Sequence, residues 1–179
     1  MMDPLTLRLW AYRALYLGIV VLCVFFRILP LDTRAGLIPG PDVILALTAA
    51  WVLRRPDFVP AVLIVLAVLA CDLIFQRPPG LWAMLMLLGT EFLRARQGLI
   101  RELPFFLEWV FVGGVVAAMI TANQLLLALV MTPRPPIGLS ALQGFLTVAV
   151  YPAVVAVSHL AFGLHKAAPG EVDALGHRL

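Results

Sequence analysis

Charge is scarce in this chain. Of its 179 residues only 13% are Asp, Glu, Lys or Arg, against about 25% in ordinary soluble domains. That shortage excludes a solvated globular surface. The formal net charge of +3 is small and scattered in short clusters, which fits loop bias in a membrane protein and argues against a nucleic-acid-binding face. Cysteine is almost missing: Cys23 and Cys71 each lie in an apolar run, with no second Cys or His at metal spacing. They read as buried free thiols. His159 and His165 have no carboxylate or Cys to complete a ligand set. Ser140 and Ser158 lack a His and acid neighbourhood, and no nucleophile elbow, phosphate loop or metalloprotease motif occurs. The expectation is a protein without catalytic residues, metal or cofactor, and not an enzyme.

What is present is hydrocarbon. Hydrophobic residues make up 63% of the chain, and apolar runs of spanning or near-spanning length fill residues 9–164, leaving no stretch to fold as a soluble domain. The sequence predicts an all-α polytopic membrane protein, with one six-helix transmembrane domain over residues 1–166 and a short polar, disordered tail over 167–179. The segments are roughly 9–29, 41–53, 59–75, 81–93, 104–130 and 139–164. The second is short for a bilayer, and Pro41 suits its first helical turn. Pro152 is expected to kink the sixth. The run before Arg27-Ile28-Leu29-Pro30 has no small-residue cleavage site, so it is expected to stay as a helix and not be removed as a signal. Residues 94–101 mix basic and apolar side chains, as a short amphipathic turn on the membrane surface would.

Six spans with both termini cytoplasmic put Arg8, Arg13, Arg54, Arg55, Arg94, Arg96, Arg101, Lys166 and Arg178 inside. Only Arg27, Arg34, Arg77 and Arg134 then lie outside. The positive-inside rule favours this orientation.

Asp72 is the residue most in need of explanation. A carboxylate within an apolar helix costs roughly 2.5 to 3.5 kcal/mol even on forgiving insertion scales. It lies about one turn before the end of the third segment, where the helix dipole is unfavourable to it. The break Pro78-Pro79-Gly80 then forces a tight reversal. The free N–H groups opening the fourth segment, near Leu81 and Trp82, offer an anion site across that reversal, and Arg27 and Arg77 are candidate charge partners. Asp72 therefore reads as the staple of an antiparallel hairpin, with an ion or proton site as the alternative. Glu108, in the first turns of segment five, reads as an interfacial anchor neutralised by Arg101 or Arg96. Glu91 reads as one half of an intrahelical pair with the nearby arginines. Segment five also carries Gly114, Ala118 and Ala122 at four-residue spacing, with Gly113, Ala117 and Thr121 alongside, followed by Asn123 and Gln124. Small residues and amides mark a face turned toward protein, either within the bundle or against a partner membrane helix.

The run from Ile28-Leu29-Pro30 through Gly40-Pro41-Asp42, Trp51-Val52-Leu53, Asp72-Leu73 and Pro79-Gly80-Leu81 resembles MreD, the rod shape-determining membrane protein family of bacteria. Its most diagnostic part is an acidic residue plus leucine, a short spacer, then a glycine opening the next helix. The likeness covers roughly the first two thirds of the chain; the Pro78-Pro79 pair departs from the more polar turn expected there. The resemblance implies a multi-pass protein of the cytoplasmic (inner) membrane and a part in the cell-elongation machinery. It would bind MreC and, through it, act with MreB, RodA and the elongation penicillin-binding protein in lateral peptidoglycan synthesis. It also implies a compact bundle of about six helices similar to the substrate-binding subunits of energy-coupling-factor transporters. The alternative that follows from that likeness is a small-molecule or lipid carrier, with a polar pocket around Asp72, Arg27, Arg34 and Arg77.

Overall fold

The computed structural model describes residues 4–29 and 39–164. Arg34, His165, Lys166, Arg178 and the tail 167–179 lie outside the described residues. The fold is all-α: α1 Pro4–Ile28, α2 Val43–Arg54, α3 Ala61–Ile74, α4 Leu81–Ala95, α5 Gln97–Glu102, α6 Phe105–Leu129 and α7 Ile137–Phe162, with a 3-10 turn at Pro56–Phe58 between α2 and α3. Five of the expected segments start within two residues of an observed helix. The first begins earlier, at Pro4, and the expected surface turn after segment four is α5, tied down by the buried Ile100.

Prolines set most of the starts. Pro60, Pro104 and Pro136 are the capping residues of α3, α6 and α7; each has a preset φ and no N–H to leave unsatisfied. Pro41 does not do this for α2. The helix begins at Val43 because Asp42 is its cap, its Oδ1 accepting from Leu45 N–H at 3.1 Å. A side-chain acceptor at that position satisfies a free helical donor that proline cannot serve.

Helices α1, α6 and α7 are long and apolar enough to cross a membrane, while α2 and α3 are shorter apolar helices. Only 17%, 22% and 17% of the respective spanning windows are buried within the protein. So much outward-facing hydrocarbon needs lipid around it, which makes this a membrane protein. The six main helices run alternately up and down. One end of the bundle carries Asp72 and the α3–α4 and α6–α7 reversals; the other carries Arg54, Arg94 and α5.

At the centre stands α2, in which every residue from Ile44 to Arg54 is buried. It packs on α7, α4 and α1, while α3 pairs with α4 and α6 with both α4 and α7. Trp51, fully buried, meets Tyr12, Tyr16 and Phe162 edge-on or tilted at 5.8–6.5 Å and donates to Ser158 Oγ at 3.2 Å. Tyr16 bonds Thr48 at 2.9 Å. Tyr12 stacks on Phe58 with centroids 4.3 Å apart and donates to the Phe162 carbonyl at 3.2 Å, closing α1 onto α7.

Twelve residues make α2 only about 18 Å long, and it is set back from the Asp72 end. Its cap N–H, on Asp42, donates to Thr147 Oγ1 at 2.8 Å. Thr147 lies ten residues into α7, roughly 15 Å along that helix. The flanking reversals extend past the start of α2 and leave a recess above it.

Candidate functional site

Four places in the bundle hold chemistry or open space. The first is the α3–α4 hairpin. Asp72 is fully buried, and its Oδ2 accepts from Gly80 N–H and Ala83 N–H, each at 3.2 Å. Gly80 supplies the turn because its backbone sits at φ +86°, where a side chain would be strained; Pro79 before it has the fixed φ that the reversal uses. The staple is thus present, with its donors at Gly80 and Ala83, on either side of the expected Leu81 and Trp82. The expected charge partners behave differently. The Arg27 guanidinium lies 4.9 Å over the Phe75 ring, and that of Arg77 lies 5.6 Å from Phe75 and 5.9 Å from Trp82. Among the described residues, neither reaches ion-pair distance of Asp72. Helix N-terminal amides already solvate the carboxylate, so a guanidinium gains more by covering an aromatic face.

The second place is the recess above α2, a cavity of about 610 Å³. Asp42, 5% exposed, lines it from α2, Gln76 and Arg77 from the hairpin, Asn123 from α6 and Gln143 from α7. Gln76 adopts the left-handed conformation at φ 53°. It occupies the position after α3 where the Arg77 N–H returns to the Asp72 carbonyl at 2.9 Å, a place that favours glycine.

The third is a buried charge cluster at the opposite end. Arg54 Nη1 lies 3.1 Å from Glu108 Oε1, the Tyr151 hydroxyl donates to the same oxygen at 2.7 Å, and Arg54 also donates to the Ala50 carbonyl at 3.2 Å. All three side chains are buried. This corrects the reading of Glu108 as an interfacial anchor: it is a core residue tying α2, α6 and α7 together. Arg54, counted in the sequence as a loop cation, belongs to the same cluster, and Arg96 lies over the Phe92 ring at 3.9 Å. Glu91 does pair within its helix, with Arg94 at 3.3 Å. Sequence reading missed the cluster because its members are 54 and 43 positions apart. The available signal was depth: under six spans, Glu108 and Arg54 fall at the same level.

The fourth is an apolar groove of about 610 Å³ between α4 and α6. Gly114, Ala118 and Ala122 form its floor; Leu88, Phe92 and Phe111 are among its walls. Phe92 and Phe111 stack at 5.8 Å. A Cβ on Gly114 would meet nothing, whereas one on Gly113 would touch Val148 of α7. Gly113 therefore packs inside the bundle against α7, while the row Gly114, Ala118 and Ala122 opens outward. Asn123 and Gln124 do not share the groove face with the small residues, because each step along a helix turns the side chain by about 100°. Gln124 is buried, donating to the Pro135 carbonyl at 3.1 Å and Ser140 Oγ at 2.6 Å, and Asn123 faces the cavity.

No cluster of metal-ligating side chains occurs among the described residues. No family model, no curated protein and no solved structure matches the chain.

Proposed function

We propose that this protein is a non-enzymatic membrane scaffold of the MreD type, which seats the membrane helix of MreC and so helps to place lateral peptidoglycan synthesis. The observation that carries the reading is the α4–α6 groove. Its floor of Gly114, Ala118 and Ala122 lets another helix backbone approach closely, the geometry that membrane helix pairs use. Its walls are apolar and exposed, with Leu88 at 59% and Val110 at 53%, so they suit an apolar helix and no soluble ligand. The motif Asp72-Leu73 to Gly80-Leu81 supports the family, and the same motif builds the stapled hairpin whose second helix forms one wall of the groove. In this reading the protein lies in the bacterial cytoplasmic membrane with six spans and both termini inside, the arrangement favoured by arginine placement. MreB, RodA and the elongation penicillin-binding protein are engaged indirectly, through MreC.

The test is co-purification of MreC from membranes with a series of groove variants. Gly114→Leu and Ala118→Leu fill the floor and are expected to lower recovery of MreC at least about tenfold, since overfilling a close helix contact costs roughly 1–3 kcal/mol per site. Ala117→Leu, exposed on the neighbouring row, is the control and leaves recovery unchanged. Unaltered recovery across the groove series removes this surface from the interface.

A further inference from the structure

We propose that the recess above α2 is a binding site for a zwitterion: a primary ammonium with an acidic group a few atoms away, as in a phosphoethanolamine headgroup or a free amino acid. The inference stands apart from the scaffold reading and does not depend on the α4–α6 groove.

Three observations place the chemistry. Asp42 is a buried carboxylate on the cavity wall, and only one of its oxygens is used by the protein, in capping Leu45 N–H. Among the described residues no donor holds the other oxygen and no cation lies within ion-pair distance of it. Buried carboxylates are satisfied by a cation or by donors; an ammonium with three donors is the compact group that serves both needs. Next, Asn123 and Gln143 line the same cavity, half-buried, and their side-chain amides have no hydrogen bond among the described residues. Polar amides left open on two facing membrane helices suit a polar ligand and not a packing contact. Finally, the Arg77 guanidinium lines the cavity while its faces cover Phe75 and Trp82. Stacking leaves the N–H edge of a guanidinium free, and that edge matches a carboxylate or phosphate. A negative group and a positive group in one cavity call for a ligand carrying both signs.

Asp42→Asn separates recognition from folding. Asparagine caps helices about as well as aspartate, so α2 keeps its start while the charge is lost. The full chain is purified in detergent and challenged with three probes: phosphatidylethanolamine, phosphatidylcholine of the same acyl chains, and soluble O-phosphoethanolamine. Retention of the lipids is read by native mass spectrometry and the soluble probe by calorimetry. The expected result is retention of phosphatidylethanolamine at least about tenfold above phosphatidylcholine, or saturable binding of O-phosphoethanolamine. Asp42→Asn lowers the response about tenfold or more, because the ammonium loses its charge-assisted hydrogen bond. Arg77→Gln and Gln143→Leu weaken it by smaller factors. The lipid response alone identifies a headgroup site; the soluble response identifies a site for a free zwitterion. Equal retention of the two lipids with no soluble binding overturns the proposal, as does an Asp42→Asn protein that binds like the parent.

Discussion

Breaking the Arg54–Glu108–Tyr151 cluster is expected to cost far more than deleting it whole. Glu108 Oε1 accepts from both Arg54 at 3.1 Å and Tyr151 at 2.7 Å, and the two charged side chains are 5% and 0% exposed. At an effective dielectric near 20, charges about 4 Å apart attract by about 4 kcal/mol, but removing both from water consumes most of that. The net worth of such a pair against an apolar replacement is near zero, whereas stranding one member costs about 3–5 kcal/mol. Arg54→Met leaves Glu108 charged in the core and is expected to lose about 3–5 kcal/mol. Glu108→Gln is expected near the low end of that range, since Arg54 keeps the Ala50 carbonyl at 3.2 Å. Tyr151→Phe removes one short bond to a charged acceptor, about 1.5–3 kcal/mol. The combination Arg54→Met, Glu108→Leu and Tyr151→Phe, which strands no member, is expected within about 1 kcal/mol of the parent. Unfolding of the purified protein in mixed micelles, driven by rising SDS fraction and followed by tryptophan fluorescence, measures all four. A combined variant that loses as much as the single variants together refutes the coupling and with it the buried pair.

Asp72→Ala is expected to destabilise the purified protein by about 2 kcal/mol and Asp72→Asn by about half that, because asparagine still accepts from the Gly80 and Ala83 amides; equal melting temperatures for the two would show that the staple is not an acceptor for those amides. A Cβ on Gly144 would collide with Ile120 of α6, so Gly144→Val is expected to cost about 1–3 kcal/mol, relieved in part by Ile120→Val; a neutral Gly144→Val in the same micelle titration would contradict the close α6–α7 approach. Gln124→Leu removes the two side-chain bonds from α6 to Pro135 and Ser140 and is expected to speed limited proteolysis within residues 131–136 several-fold, without changing cleavage elsewhere.

Local chemistry was legible and distant pairing was not. The Asp72 staple could be read because its acceptor, its helix breakers and its donors all fall within twelve residues. The starts of α3, α6 and α7 were placed within two residues because each apolar run begins abruptly after a polar or proline-containing stretch. The Gly114, Ala118 and Ala122 row was found by its spacing. Which of these residues meets another helix of the bundle and which opens outward is decided by neighbours far along the chain, so Asn123 and Gln124 were grouped with a face they do not share. Glu108 was read against the sequence-local Arg101 and Arg96, and Arg54 as a loop cation. Their pairing depends on the end of α2 meeting the start of α6 beside α7, and no window of sequence contains that fact.

The short central helix accounts for much of what sequence reading missed. In lipid, each backbone donor and acceptor must be satisfied inside the protein, and a helix of 12 residues places both of its ends within the bundle, away from the water that would otherwise serve them. Polar residues must therefore enter the core at those two levels. At one end Asp42 caps Leu45 and its own N–H is taken by Thr147. At the other, Gln97 donates to the Leu53 carbonyl at 3.2 Å and Arg54 to the Ala50 carbonyl, and the charge so brought inside requires Glu108 and, through it, Tyr151. Lengthening α2 by one turn at its Asp72 end would fill the recess and remove the need for a buried cap. On this account the cavity and the charge cluster are two consequences of one dimension, the length of α2. A variant that inserts Ala-Leu-Leu-Ala after Val43 should abolish zwitterion binding while leaving the penalty of Arg54→Met unchanged; loss of that penalty as well would show that the two ends are not set independently.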